Sequence, residues 1–302
     1  MKYQVIVWGV DDYNTLGLLR QINVDYVDCH FLVHGRRKYC ATISNCCKSF
    51  SVAKTIELGL NFLKTKTSSK REDKIVLITN SDIIAEIIDD NKDWLNESYY
   101  LMGIKKSKLL SSVMDKNVMC KIAQQCGIEV PLSKEINYNT IIDEEITYPC
   151  ILKPAKKLPN VPSNFKTKIC ANETELKETL QNLNKNGVYI IQKYIDKEKD
   201  VLIYGCRFNN GEIVLAGSFV KDRWYNNADG SHGIIMKEIY QCVDTNAIRL
   251  FLQRIDYYGL FSFEYGIENS KSYFYEVNLR NDGTSHYFWQ AGANLPLAWI
   301  LD

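Results

Sequence analysis

Phe263-Glu264-Tyr265 is followed by Glu276-Val277-Asn278-Leu279-Arg280, which sets Glu276 twelve residues after Glu264. The flanking residues read as two strands, 260–267 and 272–279, joined by a short polar turn through Asn269, Ser270 and Lys271. Residues two apart on a strand share a face, so Glu276 and Asn278 project together. A turn centred on Ser270 sets Glu264 directly opposite Glu276, on the same side of the sheet. Two carboxylates do not share a small space without a cation between them. Hard oxygen donors, with no thiolate or imidazole among them, suit Mg²⁺ held together with a substrate's phosphates. Arg280 adds a fork of donors suited to phosphate oxygens. The competing reading is a polar strand face turned to solvent.

A nucleotide beside such a metal pair needs cations for its phosphates. Tyr148-Pro149-Cys150-Ile151-Leu152-Lys153-Pro154 is a short apolar strand ending in a lysine. Pro154 keeps Lys153 extended, so the strand end can aim an ammonium into a cleft. Tyr189-Ile190-Ile191-Gln192-Lys193-Tyr194-Ile195 is an apolar strand interrupted by two polar residues and followed by the charged run 196–200. A strand passing along a cleft can offer alternating N–H and C=O groups to a purine edge, and an acid just beyond can accept from ribose hydroxyls. Taken alone, it reads equally as an edge strand whose charges prevent pairing.

Placed in order, these segments resemble the ATP-grasp superfamily of carboxylate–amine ligases, of the D-alanine–D-alanine ligase and carbamoyl-phosphate synthase type. The resemblance runs from Met114 onward and extends more loosely over the first hundred residues. Met114-Asp115-Lys116 and then Cys126-Gly127-Ile128-Glu129-Val130-Pro131 resemble the opening of the family's small lobe. Residues 148–154 resemble its lysine strand and Gln192-Lys193-Tyr194-Ile195 its hinge, where an acid more often stands at Gln192. Lys221-Asp222-Arg223 with Asp229-Gly230-Ser231 is similar to a stretch of the amino-acid-ligating members. Ala291-Gly292-Ala293-Asn294-Leu295-Pro296 resembles the helix start behind the metal strands.

What the resemblance implies is an α/β fold with α+β lobes. A parallel N-terminal α/β unit would occupy 1–110, a small lid lobe 111–190, and an antiparallel large lobe with the metal site 191–302. It implies ATP and Mg²⁺, two ions, with Mn²⁺ as a substitute. Lys116 and Lys153 would contact the ATP phosphates. Gln192, Lys193, Tyr194 and Ile195 would line the adenine, and Asp200 would take the ribose hydroxyls. Glu264, Glu276 and Asn278 would bind the metal, while Arg280 and Arg223 would contact the transferred phosphate or the carboxylate substrate. One departure stands out. Residues 155–166, where the family has a glycine-rich loop over the γ-phosphate, contain two prolines and no glycine. Backbone amides in a glycine nest are not on offer there, and Lys156, Lys157 or Lys166 would supply charge instead.

The implied chemistry activates a carboxylate, whose own leaving group would be oxide, by moving the γ-phosphoryl group onto it. An amine then attacks the acyl phosphate and an amide forms. Metal ions, lysines and an arginine stabilise the phosphoryl charge, and no Ser-His-Asp or Cys-His set is needed. Residues 115–190 are expected to close over the intermediate and exclude water. Two alternatives share the fold: bicarbonate activation, as in carbamoyl-phosphate-forming and biotin-carboxylating relatives, and ATP binding without turnover.

Composition is consistent with this and narrows it. Net charge is +1 from 37 basic and 36 acidic residues, which gives no bulk electrostatic case for nucleic acid or an anionic membrane. No apolar run approaches the ~20 residues of a membrane span. A strand opening almost at Met1 leaves no room for a signal peptide, so the expectation is a cytoplasmic chain acting on small-molecule carboxylate and amine substrates, with a homodimer allowed. The ten cysteines lack a CxxC and read as reduced packing residues. Residues 1–100 alternate strands at 4–9, 30–33 and 74–79 with helices from about Asn14, over 52–64 and from Asp82, a parallel α/β pattern. Asn209-Asn210-Gly211 signals a hairpin between 201–208 and 213–220. Asn172 caps a helix over 173–183. Gly127, with Pro131 beyond it, ends a helix that starts near Asp115. The apolar helix begun at Leu295 stops after barely two turns, so either a tail has been removed or the helix needs a partner surface. His232 is a candidate base near the amine, against a plain loop residue. Tyr287, Phe288 and Trp289 would line a pocket or pack a helix.

Overall fold

A computed structural model describes residues 2–66, 74–137, 146–155, 167–183, 187–225 and 229–302. Its first sheet is built from β1 (Tyr3–Gly9), β2 (Val27–His34), β3 (Ser49–Ala53), β4 (Ile75–Ile78) and β5 (Tyr99–Leu101), all parallel, in the order β3-β2-β1-β4-β5. Val5, Ile6, Val7 and Trp8 are buried in succession, the unbroken apolar run of a strand covered on both faces. The covering helices are α1 (Tyr13–Gln21), α2 (Ile56–Thr65) and α3 (Asp82–Asp90), followed by the single turn α4 (Lys92–Leu95). Helix α2 starts four residues later than the pattern suggested, and β3 takes up 49–53 in its place. The reason is local: Thr55 is the N-cap, accepting from the Leu58 amide at 3.2 Å, and the residues before it are β-formers.

Asp11, at the mouth of this sheet, is fully buried. Its carboxylate accepts from the amides of Lys38, Tyr39, Cys40, Ala41 and Thr42 and from the Thr42 hydroxyl, at 2.6–3.3 Å. Burial pushes its pKa up, but the Thr42 hydroxyl and the surrounding amides outweigh that and hold it below its ordinary 3.8. The stabilisation is therefore whole above the ordinary carboxylate range and lost as pH falls through the folded value. Asp11→Asn should cost about 3 kcal/mol near neutral pH and remove the part of the stability loss that sets in below about pH 4. Urea midpoints across that range test this; parallel curves for variant and wild type would contradict it.

A connector through β6 (Gly103–Ile104), α5 (Leu110–Val113) and α6 (Lys116–Gln125) leads to the second sheet. Asp115 caps α6, accepting from the Asn117 and Val118 amides, and Gly127 at φ +84° ends it. The second sheet is antiparallel, in the order β7-β10-β8-β9: β7 (Ser133–Asn137), β8 (Cys150–Pro154), β9 (Lys168–Cys170) and β10 (Val188–Lys193). Helix α7 (Glu173–Gln181), capped by Asn172 as expected, packs Leu176 onto Cys150, Leu152 and Cys170.

The third sheet is antiparallel in the order β13-β12-β11-β14-β15, with β6 also on β14: β11 (Lys199–Arg207), β12 (Ile213–Tyr225), β13 (Asp229–Met236), β14 (Tyr257–Glu268) and β15 (Lys271–Asn278). One face packs Phe261, Phe263, Phe274 and Val277 against α6 and α8 (Thr245–Arg254). The other face packs Leu202, Tyr204, Cys206 and Leu260 against the first sheet, α9 (Ser285–Gln290) and α10 (Leu295–Leu301). Trp299 and Ile300 of α10 are buried there, so the short apolar helix has its partner surface inside the fold. Among the described residues no helix is long and apolar enough to cross a membrane.

Candidate active site

The β14–β15 hairpin turns on two residues, Asn269 and Ser270, both at positive φ (+50° and +59°), between the paired Glu268 and Lys271. Such a primed turn matches the right-handed twist of the strands. It also sits half a residue before the Ser270 centre assumed from the sequence, and an unbroken ladder would then put Glu264 opposite Tyr275. A β-bulge corrects this. Tyr265 pairs with Phe274, the register shifts, and Glu264 pairs with Glu276, Phe263 with Val277 and Ser262 with Asn278. The extra residue lets Phe274 and Val277 both reach the aromatic core while Glu276 and Asn278 turn to the opposite face. Continued across the sheet, the same rows run Phe219–Leu202–Glu264–Glu276 and Gly217–Tyr204–Ser262–Asn278.

Asn278 is buried and joins the acids: its Nδ2 donates to Ser262 Oγ at 3.1 Å and to Glu264 Oε1 at 3.3 Å, and its Oδ1 accepts from Arg280 Nη2 at 3.1 Å. Asp282, which the sequence reading passed over, completes the group. It accepts from Ser262, Thr284 and Arg280, and although burial opposes ionisation, the Arg280 guanidinium and the Thr284 and Ser262 donors hold its pKa below 3.8. Glu264 is the opposite case. Burial, followed by the neighbouring Glu276, Asp282 and Asp200, pushes it up to about 7, against the downward pull of Lys221. A carboxyl that holds a proton at neutral pH beside another carboxylate is a place where a metal ion can replace that proton.

Lys153 approaches from the second sheet. Its ammonium donates to the buried Gln192 Oε1 at 2.9 Å, and it feels both Lys116 and Glu276. Burial, with Lys116 adding to it, lowers its pKa to about 8. Lys116, Glu264, Glu276, Asn278 and Arg280 line one cavity of about 1860 Å³. The end of β8 enters the wall through Pro154 and Ala155, and Asp12, the N-cap of α1, and Asp82, the first residue of α3, line it too.

The remaining expected residues lie elsewhere. Lys193 sits 3.7 Å from Glu268 and over the Tyr273 ring, the Tyr194 amide donates to Pro149, and Ile195 is buried. Asp200 accepts from Lys197 at 2.6 Å. None of the residues from Gln192 to Asp200 is part of the cavity lining. Arg223 is exposed on β12 outside the lining, whereas His232 does line the cavity and hydrogen-bonds Asp222 at 2.8 Å. Tyr287 reaches the wall and tilts against Phe219, while Phe288 is core. Lys156, Lys157 and Lys166 lie outside the described residues.

The donor set fits magnesium by its chemistry. Two glutamates and an asparagine supply only hard oxygen, and among the described residues no cluster of three His, Cys, Asp or Glu side chains competes for a metal. Asn278 would present Oδ1 to an ion after a half-turn of its amide.

No family model and no curated protein matches the sequence. Solved structures do. N5-carboxyaminoimidazole synthetase from Staphylococcus aureus complexed with ADP superposes with TM-score 0.76 at 18% identity, over 100% of this chain and 77% of that one. L-amino acid ligase from Bacillus licheniformis gives 0.73 at 12% identity, over 99% and 74%. Biotin carboxylase from Campylobacter jejuni gives 0.70 at 14% identity, over 99% and 70%. The chain therefore has the ATP-grasp fold. Its parallel sheet and two antiparallel sheets match that fold.

Proposed function

We propose that the protein is an ATP-dependent ligase that activates a small-molecule carboxylate as an acyl phosphate and joins it to an amine. One observation carries the reading: Glu264 and Glu276 stand opposite each other on a wall that also holds Lys116, with Lys153 coming from the facing sheet. Glu264, Glu276 and Asn278 would hold Mg²⁺, which on binding would neutralise phosphate charge and draw the γ-phosphoryl oxygens into position. Lys116 and Lys153 would balance the remaining phosphate charge, and the stretch Gln192–Ile195 with Asp200 would receive the adenosine. Because acid and phosphoryl donor are both anionic, the work of these residues is electrostatic and positional. Arg280, at the end of the metal strand, is placed for the transferred group; exposed Arg223 is the weaker candidate. The amine must lose a proton as it attacks, and His232, hydrogen-bonded to Asp222 and on the cavity wall, would accept it.

Phosphate release over pools of amino acids and small carboxylates, with and without bicarbonate, tests the reading. Release that depends on one carboxylate–amine pair supports it; release that requires bicarbonate favours the second reading, which the N5-carboxyaminoimidazole and biotin carboxylase likenesses support. Nucleotide binding without release under any condition would overturn both.

Glu264 offers a check without turnover. The metal needs the ionised form, and the folded carboxyl is largely protonated below about 7, so Mg²⁺ entry should expel a proton there. Affinity for Mg·ADP should rise as pH rises toward and just past that value, then level off. Calorimetry in two buffers of different ionisation enthalpy reads the proton directly, and zero release on the acid side would sink the metal assignment of Glu264.

A further inference from the structure

All five N–H groups of Arg280 are taken by the protein itself. Nε donates to Asp82 Oδ1 at 2.8 Å, and Nη2 to Asp82 Oδ2 at 3.4 Å and Asn278 Oδ1 at 3.1 Å. Nη1 donates to the Asn281 carbonyl at 3.2 Å and Asp282 Oδ2 at 3.3 Å. A guanidinium has five donors and no more. An arginine placed for a substrate oxyanion, yet saturated, can meet that oxyanion only by releasing a partner.

The partners are unequal. Asn278, Asn281 and Asp282 are buried within the same strand end and loop as Arg280, and Ser262 and Thr284 pin Asp282 in turn. Asp82 comes from 198 residues away, on the first residue of α3, and its side chain is 45% exposed on the cavity wall. It lies along the Nε–Nη2 edge, the edge on which a guanidinium holds a carboxylate or phosphate with two parallel bonds. Asn278 and Asp282 also line the cavity but are buried among their own partners, whereas Asp82 is the exposed carboxylate on Arg280 and has the shape of what the substrate brings.

We infer that Asp82 occupies the oxyanion subsite of Arg280, and that the substrate's carboxylate, or the phosphoryl group transferred to it, displaces Asp82 in order to bind. This rests on the ligase reading and names how that site selects. A simple monoanion offers Arg280 no more than Asp82 already does. An anion that also gains the metal or a lysine exchanges one ion pair for a better set, so Asp82 discriminates against small free anions and ties oxyanion binding to the wall of the first sheet. Asp82 is thus a specificity-determining residue.

The test uses the full-length protein as wild type, Asp82→Asn and Asp82→Ala, titrated with acetate and with inorganic phosphate, with and without Mg·ADP. Calorimetry and the shift of the thermal midpoint report binding. Ser81, not Asp82, holds the N-cap position of α3, so circular dichroism of both variants should match wild type. The expected result is about tenfold tighter binding of the probe anions once the competing charge is gone, reversed when Arg280→Gln is added to Asp82→Asn. A larger gain for phosphate assigns the subsite to the transferred phosphoryl group, and a larger gain for acetate assigns it to the substrate carboxylate. Unchanged or weaker anion binding in folded Asp82→Asn overturns the inference. Failure of the ligase reading looks different: no Mg·ADP binding and no phosphate release, with anion competition at Arg280 still measurable in the absence of nucleotide.

Discussion

Glu276→Gln is expected to lower turnover by on the order of 10³-fold while leaving the fold intact, because under the proposed ligase function it would remove one of two charged metal ligands from a site that neutralises phosphate charge. Its apo stability should equal or slightly exceed that of wild type. Glu264 and Glu276 face each other across a cross-strand pair, and replacing either with an amide relieves like-charge repulsion. The diagnostic quantity is the stabilisation by Mg·nucleotide. Ligand at about 100 times its Kd stabilises by about 2.7 kcal/mol, and the variant should lose most of that shift. A structural glutamate would behave the opposite way, weakening the apo protein and sparing the ligand effect. Wild-type turnover in folded Glu276→Gln would remove the metal assignment.

The largest stability effect should come from Asp89. This buried acid on α3 accepts from the Leu109 and Leu110 amides, both at 2.9 Å, and lies 3.4 Å from the ammonium of Lys92, itself buried and bonded to the Ile104 carbonyl. The cluster ties the helices of the first sheet to the connector β6–α5 that leads into the site. Asp89→Ala leaves two amides and a buried cation without their acceptor, at a cost of about 3–5 kcal/mol and a thermal midpoint lower by roughly 10 °C. Asp89→Asn keeps an acceptor and should cost less. Chemical denaturation measures both, and an alanine variant within about 1 kcal/mol of wild type would show that the network is not cooperative.

Much of the site was legible along the chain. The hairpin, both glutamates, Asn278 and Arg280 follow from strand periodicity and a polar turn, which are local properties. Lys116 came from motif order, Lys153 from the end of its strand, the start of α6 near Asp115 from its amphipathic pattern, and the cap Asn172 from residue type at a helix start. Strand β3 was missed because Ser49–Ala53 is a short edge segment lying against an apolar helix start, where periodicity is ambiguous. Asp282 left a readable trace, an acid two residues past Arg280. Asp82 left none, since nothing local links it to a residue 198 positions on.

The sequence by itself determined which side chains share a face, where α3, α6 and α7 begin, and that hard-oxygen donors and lysines occur in an order suited to a metal–nucleotide site. Those properties depend on neighbours a few positions apart, and propensity and period encode them. Tertiary structure decided the rest. The true turn would have misaligned the two glutamates, and a bulge at Tyr275, set by packing Phe274 and Val277 into one aromatic core, restored them. Burial raised Glu264 and lowered Lys153, and a contact between sheets saturated Arg280. Register, desolvation and long-range ion pairing arise only when distant segments exclude water from one another, so no local pattern records them.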